Sequence, residues 1–179
     1  MRPMKRLLAL LPLVALAGCV GTPRYAPPPP VSSSATVRAE DFAWSTGEGV
    51  NTVTGSVAHR ARPGAAPWTC AGGSVGLTPE TEYSRRRVSA LYGSTRRAVL
   101  PAQLVRSRAV EQAAEDYSRY IRSARCDAEG RFTFTGLPDG GWFVIAQAKP
   151  AAGTDQQDAL AVMQHVETRG GRTVVLKLG

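Results

Sequence analysis
The sequence predicts an all-β fold, a β-sandwich of about seven short strands. Three observations carry this. Eighteen Gly and thirteen Pro among 179 residues exceed ordinary usage and supply frequent turns. Several short segments have strand character and are bounded by those turns. Residues 142–149 (WFVIAQAK) are apolar on nearly both faces, as a central strand must be. The length suits one domain with appendages and excludes large two-domain enzymes and most doubly wound nucleotide-binding folds. With 43 % apolar and 20 % charged residues, the chain can build a core and is not disordered throughout.

The elements follow in chain order. Arg2, Lys5 and Arg6 precede an apolar run over residues 7–18, the plan of a secretory signal peptide. Twelve apolar residues fall short of the roughly 20 that cross a bilayer as a helix, which makes a permanent transmembrane anchor the weaker reading. The run ends Leu16-Ala17-Gly18-Cys19, which resembles the bacterial lipobox. That resemblance implies acylation of the Cys19 thiol, cleavage of residues 1–18 and anchoring in a membrane. Several acyl chains would hold firmly where one holds only marginally. The alternative is an ordinary signal peptide with an incidental cysteine. Val20 stands where an Asp commonly retains lipoproteins in the inner membrane, so the resemblance implies the outer membrane. Residues 19–35 form a tether: Pro27 to Pro30 favour extended polyproline II, and the reach to Thr36 is at most roughly 50 Å. Its expected role is a spacer, with a proline-recognition ligand as the lesser alternative.

The folded domain is expected over residues 36–179. Residues 51–59 alternate, with Val53 and Val57 on one face and Thr52 and Thr54 on the other. Gly55 there marks a bulge or a close backbone approach. Residues 74–78 form a second strand that Pro79 stops. Residues 87–92 (RVSALY) read as a third strand, and residues 117–126 as a fourth. Residues 101–118 fit a short helix or an irregular excursion. Asp127 to Gly130 is a turn, residues 131–135 place Phe132 and Phe134 inward, and residues 136–141 form a second turn. Residues 142–149, 159–166 and 172–178 complete the strands.

The stretch Cys126-Asp127-Ala128-Glu129-Gly130-Arg131-Phe132-Thr133-Phe134, with Gly136-Leu137-Pro138 and Gly140-Gly141-Trp142-Phe143-Val144, resembles the carboxypeptidase regulatory-like family. Val53 to Val57 and Ser74 to Pro79 resemble that family's first two strands. The resemblance covers residues 50–179 with a long middle. It implies a transthyretin-like sandwich in which Asp127 and Gly130 close a hairpin and the two Phe pin a sheet. It carries no catalytic residues, since the motif is structural.

Cys19, Cys70 and Cys126 are the three cysteines. Acylation of Cys19 leaves an even pair, which in an exported domain reads as a Cys70–Cys126 disulfide. Free buried thiols are the alternative. A metal or redox site lacks a CxxC spacing and a nearby His.

Enzyme chemistry finds little support. Gly72-Gly73-Ser74-Val75-Gly76 fits G-x-S-x-G, and His165 follows with Asp127, Asp139, Asp155 and Asp158 between. A nucleophile elbow, however, needs a strand before the Ser and a helix after it. Ser74 as a hydrolase nucleophile is therefore a remote alternative. No HExxH, Walker or dinucleotide loop is present, and no cofactor or metal is expected.

The expected role is a non-enzymatic structural or binding module on the cell envelope, its partner an envelope protein or an anionic glycan. Cleavage of the leader leaves nineteen basic against fourteen acidic residues, a net charge of +5 that does not suggest nucleic acid. Eleven Arg and five acids lie between Arg85 and Arg131. Arg85, Arg86, Arg87, Arg96 and Arg97 are candidate anion-binding residues, because guanidinium grips carboxylate and phosphate bidentately. The bland alternative is an ordinary solvated face in an Arg-rich chain. An exposed Trp44 or Trp68 stacking on a sugar would make a carbohydrate binder.

Overall fold
The computed structural model describes residues 37–108, 115–150 and 159–179. The leader, Cys19 and the tether lie outside the described residues. The order is α1 (Ala39–Thr46), β1 (Asn51–Val57), β2 (Trp68–Thr69), β3 (Ser74–Pro79), α2 (Glu82–Tyr92), β4 (Arg97–Pro101) and α3 (Ala102–Ser107). A 3-10 helix (Glu115–Tyr120), β5 (Arg122–Arg125), β6 (Arg131–Leu137), β7 (Gly140–Pro150), β8 (Leu160–Thr168) and β9 (Thr173–Leu178) follow.

The strands form two facing sheets, so the predicted sandwich is present. The smaller has the order β6-β1-β9, with β1 antiparallel to β6 and parallel to β9. The larger has the order β4-β8-β7-β3-β5, with β2 added alongside β7. Val53, Val57, Phe132, Phe134, Leu176 and Leu178 from the small sheet meet Val75, Leu77, Trp142, Val144, Val162 and Val166 from the large one. The alternation of β1 and β6 is thus the imprint of one dry and one wet face. The sheets also join at one end, where His59 and Trp68 exchange backbone hydrogen bonds of 3.0 and 2.7 Å. Gly55 marks a close approach: a Cβ there would stand 2.9 Å from the Leu176 carbonyl oxygen.

β7 is apolar on both faces because both are covered. Its other side, with Phe143 and Ile145, packs with Met163 and Ala161 under Val88 and Tyr92 of α2 and Ala102 of α3. A third cluster, Phe42, Tyr83 and Tyr117, with Tyr120 stacked 4.5 Å from Phe42, seats α1 and the 3-10 helix. α2 and α3 form a layer on the outer face of the large sheet.

Three expectations are corrected, and one is met. Residues 87–92 are not a strand but the second half of α2. A capping box starts that helix: Ser84 N–H donates to Thr81 Oγ1 at 3.1 Å, and Thr81 N–H to Ser84 Oγ at 2.8 Å. Gly93 ends it in the left-handed conformation (φ 70°). The fourth strand is shorter than expected, because residues 115–120 coil into the 3-10 helix. Residues 101–118 hold the expected short helix, α3, over six residues, and 109–114 lie outside the described residues. Finally, Asp127 and Gly130 do not close a hairpin. The turn is real, with Asp127 Oδ1 accepting from Glu129 N–H at 3.0 Å and Arg131 N–H at 2.7 Å. But β5 and β6 lie in different sheets, so the chain crosses the sandwich there. It crosses back between β6 and β7 for the same reason.

Candidate functional site
The G-x-S-x-G stretch is a turn running into β3, with no helix after Ser74. Thr78 pairs with Phe143, and Phe143 with His165. Ser74 lies four residues up the same strand from Thr78, about 13 Å away at 3.3 Å per residue, and two strands over from His165. His165 Nε2 is bonded to Glu80 Oε2 at 2.7 Å instead. Asp127 is committed to Arg131 and its own turn, and Asp139 to Asn51 Nδ2 and Gly170 N–H, both at 2.9 Å. Asp155 and Asp158 lie outside the described residues. Ser74, His165 and an Asp do not assemble.

The Arg-rich middle is spread over the large sheet. Arg85, Arg86 and Arg87 lie on α2, and Arg96 and Arg97 at the start of β4. Arg85 pairs with Glu80 at 2.7 Å, and Arg86 with Glu82 one turn earlier. Arg96 and Arg97 are exposed, and the Arg96 carbonyl accepts from His165 N–H at 2.8 Å. Arg122 and Arg125 lie on β5, at the opposite edge from β4. Five strands at about 4.8 Å spacing separate those edges by roughly 19 Å. Arg122 serves the fold: its guanidinium donates to the Ser45 carbonyl at 2.8 Å and the Gly136 carbonyl at 3.2 Å, and lies 5.7 Å over the Trp142 ring.

No tryptophan is exposed: one is fully buried and two are half-buried against the core. Trp142 is fully buried and donates to Thr168 Oγ1 at 3.0 Å. Trp44 lies edge-on to it at 4.9 Å, and Trp68 packs on the core. The exposed large apolar residues among those described are Val50, Leu104, Ile121 and Val175, none aromatic.

What the structure does offer is a groove of about 480 Å³ beside the β2–β3 connection. Two neighbours on one strand create it. β2 and β3 both pair with β7, at Lys149 and at Ala146 respectively, and residues 70–73 bow away between them. Ile145 forms an apolar floor, with Gln147 and Lys149 along the same face of β7 and Ser74 and Thr69 on the walls. The Cys70–Cys126 disulfide pins the wall, its Cα atoms 5.8 Å apart. The Gly73 carbonyl accepts from Cys126 N–H at 3.0 Å, and Gly73 N–H donates to the Cys70 carbonyl at 2.7 Å. The expected disulfide is thus present and builds this groove. The sequence singled out Ser74 and Cys70 for other reasons. Gln147 and Lys149 carried no signal, since a polar residue on a strand reads as solvated.

Comparison with solved structures now adds one observation. A Pseudomonas aeruginosa protein described as a "putative carbohydrate binding protein" shares this fold, with a TM-score of 0.57 and 19 % identity over 79 % of this chain and 97 % of that one. A DUF3823 family protein from Parabacteroides merdae aligns with 11 % identity over 72 % of this chain and 45 % of that chain, with a TM-score of 0.32. No protein-family model and no curated protein matches the chain.

Proposed function
We propose that this chain is a lipid-anchored envelope module that binds carbohydrate non-enzymatically in the groove beside the β2–β3 connection. The observation that carries the reading is the groove itself. Ser74, Gln147 and Thr69 surround an aliphatic floor, the mixture of hydrogen-bonding and apolar surface that a sugar ring presents in return. The Pseudomonas likeness lends support at the level of fold. Cys19 at the end of the leader supplies the anchor, and residues 19–35 hold the domain off the lipid.

The test uses the full chain made in a Gram-negative host. The protein should fractionate with membranes and carry diacylglyceryl mass on Cys19, and Cys19→Ala should release it. The detergent-solubilised chain is then titrated calorimetrically with neutral and acidic oligosaccharides. At least one should bind saturably, and Ser74→Ala with Gln147→Ala should weaken it about threefold to tenfold, the loss of one or two neutral hydrogen bonds. Saturable binding of none of them overturns the carbohydrate reading.

A further inference from the structure
We infer that the groove selects an anionic saccharide, one bearing a carboxylate or a phosphate, and that Lys149 and Arg125 are the residues that select it. The inference rests on the carbohydrate reading and names its ligand class. Three observations lead to it.

The first is the charge of the lining. No Asp or Glu lines the groove, whereas Lys149 does, and its ammonium makes no ion pair among the described residues. Several described arginines do find carboxylates, Arg85 with Glu80, Arg86 with Glu82, and Arg131 with Asp127 and Glu129. Among the described residues, the Lys149 charge in the groove is left without a local carboxylate.

The second is register. Ser74 pairs with Arg125 across the β3–β5 ladder. Directly paired residues in an antiparallel ladder project to the same face. Val75 and its partner Ala124 both pack into the sandwich core, so Ser74 and Arg125 both face the opposite side, with Ser74 in the groove lining and Arg125 on the next strand, outside that lining. Arg125 is exposed and makes no salt bridge with a described residue. The Ser74 and Gln147 groups therefore lie between Lys149 in the groove and Arg125 on the strand beside it.

The third is what the groove lacks. A neutral sugar is held largely by stacking on an aromatic face, and no aromatic side chain lines this groove. Recognition then falls to hydrogen bonds and charge. Charge-assisted bonds are roughly twice as strong as neutral ones, so an anionic sugar gains most from this lining. Lys149 meets the anion as a point charge, and Arg125 as a bidentate fork.

The experiment titrates the full chain in detergent with a galacturonic acid trimer, a galactose trimer and glucose 6-phosphate. The acidic trimer should bind at least about tenfold more tightly than the neutral one, and the preference should fall in 0.5 M salt. Lys149→Met should remove about tenfold of the acidic trimer's affinity, and Lys149→Met with Arg125→Gln should remove the preference altogether. Both are exposed substitutions, and an unchanged melting temperature establishes that the variants fold. Glucose 6-phosphate binding with the same sensitivity to Lys149 would make phosphate the anion. Its failure beside a binding uronate would make it carboxylate. Equal affinity for the two trimers, or indifference to both substitutions, overturns the inference but leaves the carbohydrate reading standing. Binding of no saccharide at all overturns both.

Discussion

Asp127 and Asp139 each fasten a turn by accepting hydrogen bonds as carboxylates. The Arg131 backbone N–H and guanidinium hold the Asp127 carboxyl below its ordinary value of 3.8. The Asn51 amide and the Gly170 N–H do the same for Asp139. A carboxyl with a lower pKa in the folded state stabilises fully above its unfolded pKa, and that contribution is lost as pH falls through the folded value. Tyr92 and Tyr117 set the opposite limit, since burial pushes both phenols up to about 12 from 10.0. Their contribution is complete below pH 10 and is lost as pH rises towards the folded value. Urea titrations across pH should therefore show a plateau that declines below about pH 4 and above about pH 10. Asp127→Asn with Asp139→Asn should flatten the acid side alone; an acid limb unchanged by that pair would refute the assignment. The sequence displayed the Asp127 turn but not Asn51. That residue is fully buried and bonds the Leu137 carbonyl at 2.9 Å, Asp139, and the N–H groups of Gly171 and Arg172. Its partners lie up to 121 residues away, so only the folded chain assembles this hub.

At the scale of elements, strands with one wet and one dry face were legible, and β1, β3, β6, β7, β8 and β9 lie where alternation or dense apolar character puts them. Over its second half α2 imitates a strand in sequence, because Val88, Ala90 and Tyr92 alternate as well as any strand. The deciding information lay at its ends, in Thr81, Ser84 and Gly93, outside the apolar window. Those ends are also where the helix is vulnerable. Thr81→Ala removes the side chain that accepts from Ser84 N–H, at a cost of about 1 kcal/mol. Gly93→Ala places a Cβ at φ 70°, at about 1–2 kcal/mol. Denaturant midpoints should fall for both, and the pair should add, since the sites lie at opposite ends of the helix. A midpoint unmoved by either would mean that α2 is held by its packing on Met163 and Phe143 and not by its caps. β4 is hidden in the sequence for a different reason. It is a five-residue edge strand whose central residues are all half-buried, so neither face shows in the sequence.

For the whole molecule, the Cys70–Cys126 bridge decides most. It joins residues 56 positions apart and closes the segment that carries β3, the helical layer and β5. The bridge ties the β2–β3 connection to the end of β5, and that point is the wall of the groove. By chain entropy the cross-link is worth about 4 kcal/mol for a loop of this length. At roughly 2–4 °C per kcal/mol, Cys70→Ser with Cys126→Ser should lower the melting temperature by about 8–16 °C. The consequence for binding is separate from that loss. The Gly73 carbonyl remains bonded to Cys126 N–H without the sulfurs, so the wall keeps one restraint and loses the covalent one. Below its melting temperature the double variant should still bind saccharide, but less tightly, because part of the binding energy goes into ordering residues 71–73. Calorimetry of the oxidised, reduced and double-Ser chains separates the two effects. A stability loss with unchanged affinity would make the bridge a staple of the fold alone and move the site away from this wall. Parallel losses of both, recovered on reoxidation, would make the disulfide a structural part of the groove.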